Sequence, residues 1–279
     1  MIISVLKGGL GNQMFQYAAA RCLSVKKSCP FKLCISNFID HETSNITKRD
    51  YSLNNFNIKE TLIESNLSLK ILKKLGLIKS ISDNNFNKKY LEEIRYRTTI
   101  LDGYWQSEKY FEEITNTIFD EFSLKTGFCR EANYFNELIL KSNSVSIHLR
   151  CGDYKKNSLL KTIYYDLTES YYNEAISIIS RNFPDINFFI FSDDLPYARK
   201  FFESFEMPKT FIELKEDLYW QEIILMSHCK HNIISNSTFS WWGAWLNKNK
   251  NKIVVAPQNW FINDVGSSKE IVPETWRKI

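Results

Sequence analysis

The stretch SIHLRCGDY, residues 146–154, carries three side chains that can bind an anion or exchange a proton. Its apolar start is typical of a buried β-strand, in which alternate side chains share a face, so His148 and Arg150 point the same way at the strand's carboxyl end. Asp153 follows in the turn. A guanidinium offers a forked set of donors suited to a phosphate, and an imidazole can hydrogen-bond a base or a ribose. The pattern therefore predicts an anion-binding strand end.

Two acids follow a second predicted strand, in FSDD at residues 191–194. Asp193 and Asp194 have no D-x-D spacing and no nearby histidine, so the sequence predicts no metal site here. They suit either hydrogen bonds to a ribose or capping of the helix that follows, and the sequence leaves both interpretations open.

A turn rich in hydroxyl and amide side chains precedes a predicted helix in SNSTFSWWGAWLN, residues 235–247. Backbone N–H groups, hydroxyls and the positive end of a helix dipole together favour an anion such as a diphosphate. We expect Arg150 to close over that anion, with no metal required. The turn residues assigned to this site are Asn236, Ser237, Thr238, Phe239 and Ser240.

Three tryptophans come directly after this turn. Trp241 and Trp245 are four residues apart and share one face of a helix, with Trp242 beside them. We interpret them as core residues that anchor the helix, and place the function in the turn before them.

A glycine-rich turn lies near the start of the chain, in KGGLGNQMFQYAAA at residues 7–20. Gly9 and Gly11 let the backbone turn sharply and let a ligand approach the main chain. The third glycine of a dinucleotide fingerprint is missing, and so is the lysine of a phosphate loop. Asn12 and Gln13 suit hydrogen bonds to sugar hydroxyls; a helix N-cap with a solvent-facing amide is the other interpretation.

The elements that must position these residues alternate between strand and helix. In the second half, predicted strands at 144–150, 187–192, 210–214, 231–235 and 252–257 alternate with predicted helices near 168–182, 195–205, 217–229 and 238–247. A strand at 2–7 and a helix at 12–25 open the first half in the same way. This order predicts an α/β protein with parallel sheets, whose ligands bind at the carboxyl ends of the strands. We place the boundary between two domains at 140/141, giving residues 1–140 and 141–279.

Composition excludes several classes of protein. A formal net charge of +4 over 279 residues, without a basic cluster or binding motif, does not indicate a nucleic-acid partner. Six cysteines without a C-x-x-C pair predict free thiols in a reducing compartment and no zinc site. We find no signal peptide and no apolar stretch long enough to span a membrane, and expect a cytoplasmic protein. The amphipathic segment 61–79 would suit either the anionic inner face of a membrane or solvent.

The motifs together resemble those of the bacterial α-1,2-fucosyltransferases of glycosyltransferase family eleven. The resemblance is carried by GGLGNQMFQYA (8–18), GYWQSEKYF (103–111), IHLRCGDY (147–154), FSDD (191–194) and LMSHCKHNIISNSTFSWWGAWLN (225–247). These segments follow the family's order across nearly the whole chain, and only residues 30–100 are not placed by it.

The resemblance implies a GT-B fold, with two Rossmann-like domains facing a cleft, and GDP-fucose as donor. It implies an inverting transfer of L-fucose to the 2-hydroxyl of a galactose residue, in an oligosaccharide or a lipid-linked glycan, with neither metal nor cofactor. Residues 1–140 would then form the acceptor side and residues 141–279 the donor side. Arg150 would hold the β-phosphate, His148 the nucleoside and residues 236–240 the diphosphate. Glu222 stands where the family has an aspartate, which keeps the charge for reading guanine but lengthens the side chain.

A general base for the acceptor hydroxyl is assigned by position. Asp153 is the candidate, with Asn12 or a bound water as the alternative. The competing interpretation from another class is a non-catalytic protein on the same scaffold that binds a nucleotide or a glycan. Such a protein would bind GDP but release no product from GDP-fucose and an acceptor.

Overall fold

The computed structural model describes residues 1–39, 49–65, 67–82, 98–151, 162–262 and 268–279. The chain forms two compact units. One comprises residues 1–125 and 269–271, and the other residues 126–268 and 272–279.

The first unit is built on a five-stranded sheet in the order β3-β2-β1-β5-β4, and every strand pair is parallel. Its central strand β1 is followed at once by the long helix α1, whose buried residues cover the sheet. The elements are β1 (Ile2–Val5), α1 (Leu10–Lys26), β2 (Phe31–Cys34), α2 (Ser36–Ile39), β3 (Leu62–Ile63), α3 (Leu67–Lys74), β4 (Lys79–Ile81), β5 (Thr99–Leu101), α4 (Thr115–Glu121) and α10 (Ser268–Ile271).

A buried polar cluster attaches α1 to α4. The Tyr17 hydroxyl donates to Glu121 at 2.7 Å, and Arg21 Nε donates to the same carboxylate at 3.0 Å. Burial, and then the charge of Glu121, raises the pKa of Tyr17 far above its usual value, so the phenol remains a donor. Because a carboxylate buried without partners is costly, this pairing fixes the position of α1 within the unit.

The second unit is built on a six-stranded sheet in the order β11-β10-β9-β6-β7-β8, and again every pair is parallel. The predicted strands and helices of this half are confirmed, most of them with shorter bounds. The elements are α5 (Arg130–Leu140), β6 (Asn143–Leu149), α6 (Glu169–Ser180), β7 (Ile186–Ser192), α7 (Leu195–Phe201), β8 (Lys209–Phe211), α8 (Trp220–His228), β9 (His231–Ile233), α9 (Thr238–Trp245), β10 (Val254–Ala256) and β11 (Arg277–Lys278).

The tryptophans of α9 lie in the core, as predicted. Trp241 and Trp242 are fully buried and Trp245 nearly so, and the rings of Trp241 and Trp245 stack with centroids 6.1 Å apart. On the other side of α9, a Cβ at Gly243 would lie 2.7 Å from Met226 Cβ, so α8 and α9 approach more closely than any larger residue permits. The helix that follows the predicted anion-binding turn is therefore firmly anchored.

The boundary between the units differs from the predicted 140/141 and lies at 125/126. Helix α5 belongs to the second unit because its N-terminus is fixed to α8, where the Cys129 amide donates to Gln221 Oε1 at 2.8 Å. Residues 269–271 belong to the first unit, where Glu270 pairs with Lys109 at 2.6 Å. Both assignments differ from the predicted division because they depend on contacts between residues far apart in sequence.

The amphipathic segment 61–79 is divided among β3, α3 and the start of β4. Helix α3 ends at Lys74, two residues before Gly76, which has φ +69°. The Leu77 amide donates back to Leu72 O at 3.0 Å, a helix-ending pattern that favours glycine. Leu69 packs into the core, while Leu67 and Ile71 are exposed on the outer face. Among the described residues no helix is long and apolar enough to cross a membrane. A peripheral contact through the outer face of α3 remains a prediction.

Candidate functional site

The carboxyl ends of β6 and β9 are adjacent in the second sheet, and these strands precede the two segments predicted to bind one anion. Ile147 pairs with Ile233, which places His148 beside the turn that follows β9. His148 Nδ1 lies 2.8 Å from Ser235 Oγ, and its ring packs against that of Phe239 with centroids 5.8 Å apart. The histidine therefore connects the end of β6 to the predicted diphosphate turn.

His148 is nearly inaccessible to solvent. Burial lowers its pKa to about 3, with the nearby Arg150 lowering it further and the charge of Asp193 opposing the change. The imidazole is therefore neutral at physiological pH and can both donate and accept a hydrogen bond.

Arg150 forms an ion pair with Asp193, at 3.0 Å between Nη1 and Oδ2. The other oxygen of Asp193 accepts a hydrogen bond from the Cys151 amide at 2.9 Å. One carboxylate thus joins the end of β7 to the backbone that leaves β6 and to the guanidinium. This gives Asp193 a positioning role toward Arg150, where the sequence allowed a ribose contact or a helix cap.

Asp194 is the N-cap of α7. Its Oδ1 accepts a hydrogen bond from the Tyr197 amide at 3.0 Å. Of the two interpretations left open for this residue, the structure shows the cap.

The turn before α9 is held by its own side chains. Ser237 is the N-cap and accepts a hydrogen bond from the Phe239 amide at 3.3 Å, and Thr238 is the first helical residue. Ser240 Oγ lies 3.2 Å from Ser237 O and 3.5 Å from Ser235 Oγ, which extends the hydrogen-bonded chain from His148. The helix N-terminus is therefore held in place before any ligand arrives.

Asn236 has a different role from the ligand contact predicted for it. Its side chain is 2% exposed, and Nδ2 donates to Tyr165 O at 2.7 Å and to Trp260 O at 3.1 Å. These bonds attach the turn to two neighbouring segments of the second unit. Asn236 therefore supports the position of the turn through these backbone contacts.

Glu222 lies in the first turn of α8 and is mostly buried. Burial, and then the negative charge of Asp193, raises its pKa to about 8. The carboxyl group is therefore largely protonated at neutral pH and lies within electrostatic reach of the Arg150–Asp193 pair. A strongly shifted acid beside a strand-end cluster is typical of functional sites.

Aromatic residues that the motifs did not single out complete this region. Tyr219 packs against Phe239 with centroids 6.1 Å apart, so Tyr219, Phe239 and His148 form a row of rings. From α6, Tyr172 donates to His148 O at 3.2 Å and Tyr171 donates to Ile234 O at 2.6 Å, bracing the ends of β6 and β9. The only sequence signal for Tyr171 and Tyr172 was that two tyrosines are adjacent inside a predicted helix.

The glycine-rich turn of the first unit depends on Gly8 more than on the two glycines predicted. Gly8 has φ +79°, and a Cβ there would lie 2.6 Å from Asn12 Nδ2. Gly9 is the N-cap of α1 and a Cβ there would meet nothing within 4 Å, whereas Gly11 is buried inside α1. Open space at Gly9 is compatible with a ligand close to the main chain.

The two amides that follow this turn have separate roles. Asn12 is partly exposed and its Oδ1 accepts from Gln106 Nε2 at 2.8 Å. Gln13 is fully buried, donating to Gly8 O and Asp50 O and accepting from the Ser52 amide at 3.0 Å. The structure thus places Gln13 in the support of the turn, where the sequence predicted a sugar contact.

Asp153, the predicted base, lies outside the described residues. Within the part of the chain that is described, no group of three or more histidine, cysteine, aspartate or glutamate side chains is arranged to hold a metal ion. None of the six cysteines forms a disulfide bond.

The whole chain can be compared with known families. Residues 3–279 match the family described as Glycosyl transferase family 11. The chain belongs to this family. It is a glycosyltransferase, and the cluster around His148 and Arg150 is its candidate donor site.

Two relatives of this glycosyltransferase from Escherichia coli align over almost their full length. The alpha-1,2-colitosyltransferase is 31% identical over 292 residues, covering 100% of this chain and 99% of the relative. The O-antigen biosynthesis glycosyltransferase WbnK is 31% identical over 303 residues, covering 98% of both.

Solved fucosyltransferases share the fold of this family 11 member. A mutant of Arabidopsis thaliana FUT1 in complex with GDP has a TM-score of 0.53 at 10% identity, covering 94% of this chain and 72% of that one. The fucosyltransferase NodZ from Bradyrhizobium has a TM-score of 0.50 at 11% identity, covering 87% and 91%. The fold is of the GT-B type, with two α/β units on parallel sheets.

Proposed function

We propose that this family 11 glycosyltransferase transfers L-fucose from GDP-β-L-fucose to the 2-hydroxyl of a galactose residue, forming an α-1,2 linkage with inversion. The observation that carries the proposal is the position of Arg150, which forms an ion pair with Asp193 at the end of β6. His148 connects the same strand to the turn before α9. A guanidinium and a helix N-terminus on one sheet edge suit a diphosphate leaving group.

The reaction asks for charge stabilisation more than for covalent chemistry. As the bond from fucose C1 to the diphosphate breaks, negative charge grows on the phosphate oxygens, and preorganised donors aimed at that charge are usually the largest catalytic contribution. Arg150 and the amides at the start of α9 supply these donors. Asp153 is the proposed base that takes the proton of the acceptor hydroxyl.

The guanine ring is assigned to the region of Glu222. Guanine presents adjacent N1–H and N2–H donors, and a carboxylate is able to accept both. Glu222 lies close enough to Asp193 for that charge to affect its pKa, which supports a position beside the same nucleotide.

The sugar that is transferred has a second candidate. One relative is an alpha-1,2-colitosyltransferase of full matching length, which supports a colitosyl group as the alternative to fucose. Colitose lacks the 3-hydroxyl of fucose, so the two donors differ by one hydrogen-bonding group. A site built to bind that hydroxyl rejects the analogue without it.

The proposal is tested by incubating the protein with GDP-fucose or GDP-colitose and a set of galactose-terminated oligosaccharides. We expect product from GDP-fucose and, by NMR, an α-linkage to the galactose 2-hydroxyl. A product formed only from GDP-colitose would move the proposal to the second donor. GDP binding without any product would favour the non-catalytic interpretation.

Transfer should continue in excess EDTA, with Mg²⁺ or Mn²⁺ giving at most a modest stimulation. The physical reason is that Arg150 and the start of α9 neutralise the leaving group, while Asp193 is paired with Arg150 and Asp194 caps α7. The measurement is initial rate before and after chelation. Complete loss of activity that one metal restores would overturn this assignment and redirect attention to the two acids.

A further inference from the structure

A second cluster lies at the carboxyl edge of the first unit's sheet. Lys7 follows β1 and Asp102 follows β5, its parallel neighbour, and Lys7 Nζ lies 2.9 Å from Asp102 Oδ1. The Tyr104 ring lies beside them, with its centroid 5.2 Å from Lys7 Nζ. Gln106 follows Tyr104 by two residues, and its Nε2 donates a hydrogen bond to Asn12 Oδ1 at 2.8 Å. We call these five residues the β1–β5 cluster.

The backbone holds this cluster rigidly. The buried amide of Gln16 accepts from the Lys7 amide at 2.9 Å and donates to Lys7 O at 3.2 Å. Trp105 has φ +56°, an unfavourable conformation for a bulky residue, and its carbonyl accepts from the Ser107 amide at 2.8 Å. Such strain persists where the surrounding structure enforces it, and it is found most often at functional sites.

This tight turn places the rings of two consecutive aromatic residues, Tyr104 and Trp105, in different environments. Trp105 is buried and packs edge-on against Tyr110, with centroids 5.3 Å apart. Tyr104 is 42% exposed. The strained residue therefore presents one aromatic ring at the surface, beside a charged pair and an amide pair.

The chemistry of the cluster fits a neutral polyol. Lys7 and Asp102 balance each other, so the pair carries no net charge that would select an anion. Ammonium, carboxylate and amide groups together offer both donors and acceptors for hydroxyls. An exposed tyrosine offers a flat apolar surface with a polar edge, which suits the C–H face of a hexose ring.

We infer that the β1–β5 cluster binds a hexose of the acceptor glycan, with Tyr104 against the apolar face of the ring and Lys7, Asp102 and Gln106 on its hydroxyls. The inference rests on the proposed transfer to a glycan and adds the residues that select the acceptor. It extends the role of Asn12, whose amide is oriented by Gln106, to the positioning of the same sugar.

The test uses the full-length enzyme and three variants, Tyr104→Ala, Tyr104→Phe and Asp102→Asn. We expect Tyr104→Ala to raise the acceptor KM about three- to tenfold, since the stacking surface is lost, while Tyr104→Phe stays near the wild type. Asp102→Asn should raise the acceptor KM as well. The donor KM should not change in any of them. Tyr134→Ala, at an exposed tyrosine on α5, is the matched control.

Binding measured without donor separates this inference from the proposed function. Saturation-transfer NMR with lactose, lacto-N-biose and galacto-N-biose should show contact with the wild type and a weaker signal with Tyr104→Ala. Circular dichroism reports that each variant is folded, and calorimetry measures its affinity for GDP. An unchanged acceptor KM in both Tyr104→Ala and Asp102→Asn would overturn the inference while leaving the proposed transfer intact. An equal loss of GDP affinity would assign the cluster to the donor and overturn it too.

Discussion

Replacing Arg150 by alanine should remove nearly all transferase activity while the protein remains folded. The guanidinium is a positive charge that Asp193 holds in place at the candidate donor site, and removal of one such preorganised donor typically costs about 10²- to 10³-fold in rate. Lysine should restore little, because a point charge does not reproduce the two parallel hydrogen bonds of a guanidinium to a phosphate. Steady-state kinetics with GDP-fucose and circular dichroism measure the two parts of this prediction.

Arg199 on α7 provides a control of the same residue type in the same unit. It is exposed and pairs with Glu213 at 3.1 Å, so Arg199→Ala should leave the rate nearly unchanged. Asp193→Asn separates charge from geometry, since its amide oxygen can still accept from Cys151 while the ion pair with Arg150 is lost. We expect an intermediate loss for this variant. Turnover near wild type in Arg150→Ala would refute the assignment of the phosphate contact.

The strand ends of the second unit were predictable because their signal is local. Strands β6, β7 and β9 are almost entirely buried, and β-branched and aromatic residues mark them in the sequence although polar residues such as Ser146 and Asn232 interrupt the apolar pattern. A polar residue at or just after the end of such a strand lies at the edge of the sheet, and His148, Arg150 and Asp193 were located in this way. The first unit was harder because β3 and β4, with two and three residues, lie in a polar stretch rich in asparagine and lysine.

Residue type alone did not tell which polar side chains face a ligand. Gln13 and Asn236 have the chemistry of sugar or phosphate ligands, yet each is buried and bonded to backbone atoms of distant segments. Asp194 and Asp193 are neighbours with separate roles. Asp194 accepts from an amide three residues ahead, whereas Asp193 binds residues that follow another strand. Such distinctions depend on tertiary partners that a sequence pattern does not contain.

The affinity for GDP should rise with pH, and this rise should depend on Glu222. In the free enzyme the pKa of Glu222 is raised to about 8, so the carboxyl group is mostly protonated at neutral pH. Guanine N–H donors favour the carboxylate and lower that pKa in the complex, so binding releases a proton. Affinity should therefore increase by up to about tenfold per pH unit from about pH 6 and level off above about pH 8.

Calorimetric titrations with GDP over this range, in buffers of different ionisation enthalpy, measure both the affinity and the proton released. ADP is the matched ligand control, since it carries the same diphosphate but its adenine has no N1–H to pair with a carboxylate. Any pH dependence of the phosphates is common to both nucleotides. His148 does not titrate in this range, because its pKa is lowered to about 3.

Two variants at position 222 complete the experiment. Glu222→Gln keeps the shape but cannot ionise, so the difference between GDP and ADP should lose its pH dependence. Glu222→Ala leaves guanine donors unpaired, at a cost of about 1–3 kcal/mol per group, and should weaken GDP binding at least about fivefold with a smaller effect on kcat. If GDP affinity in Glu222→Ala and its preference over ADP matched the wild type at every pH, guanine would have to be read by another residue. His148, one ring away from Tyr219 in the aromatic row, would be the next to replace.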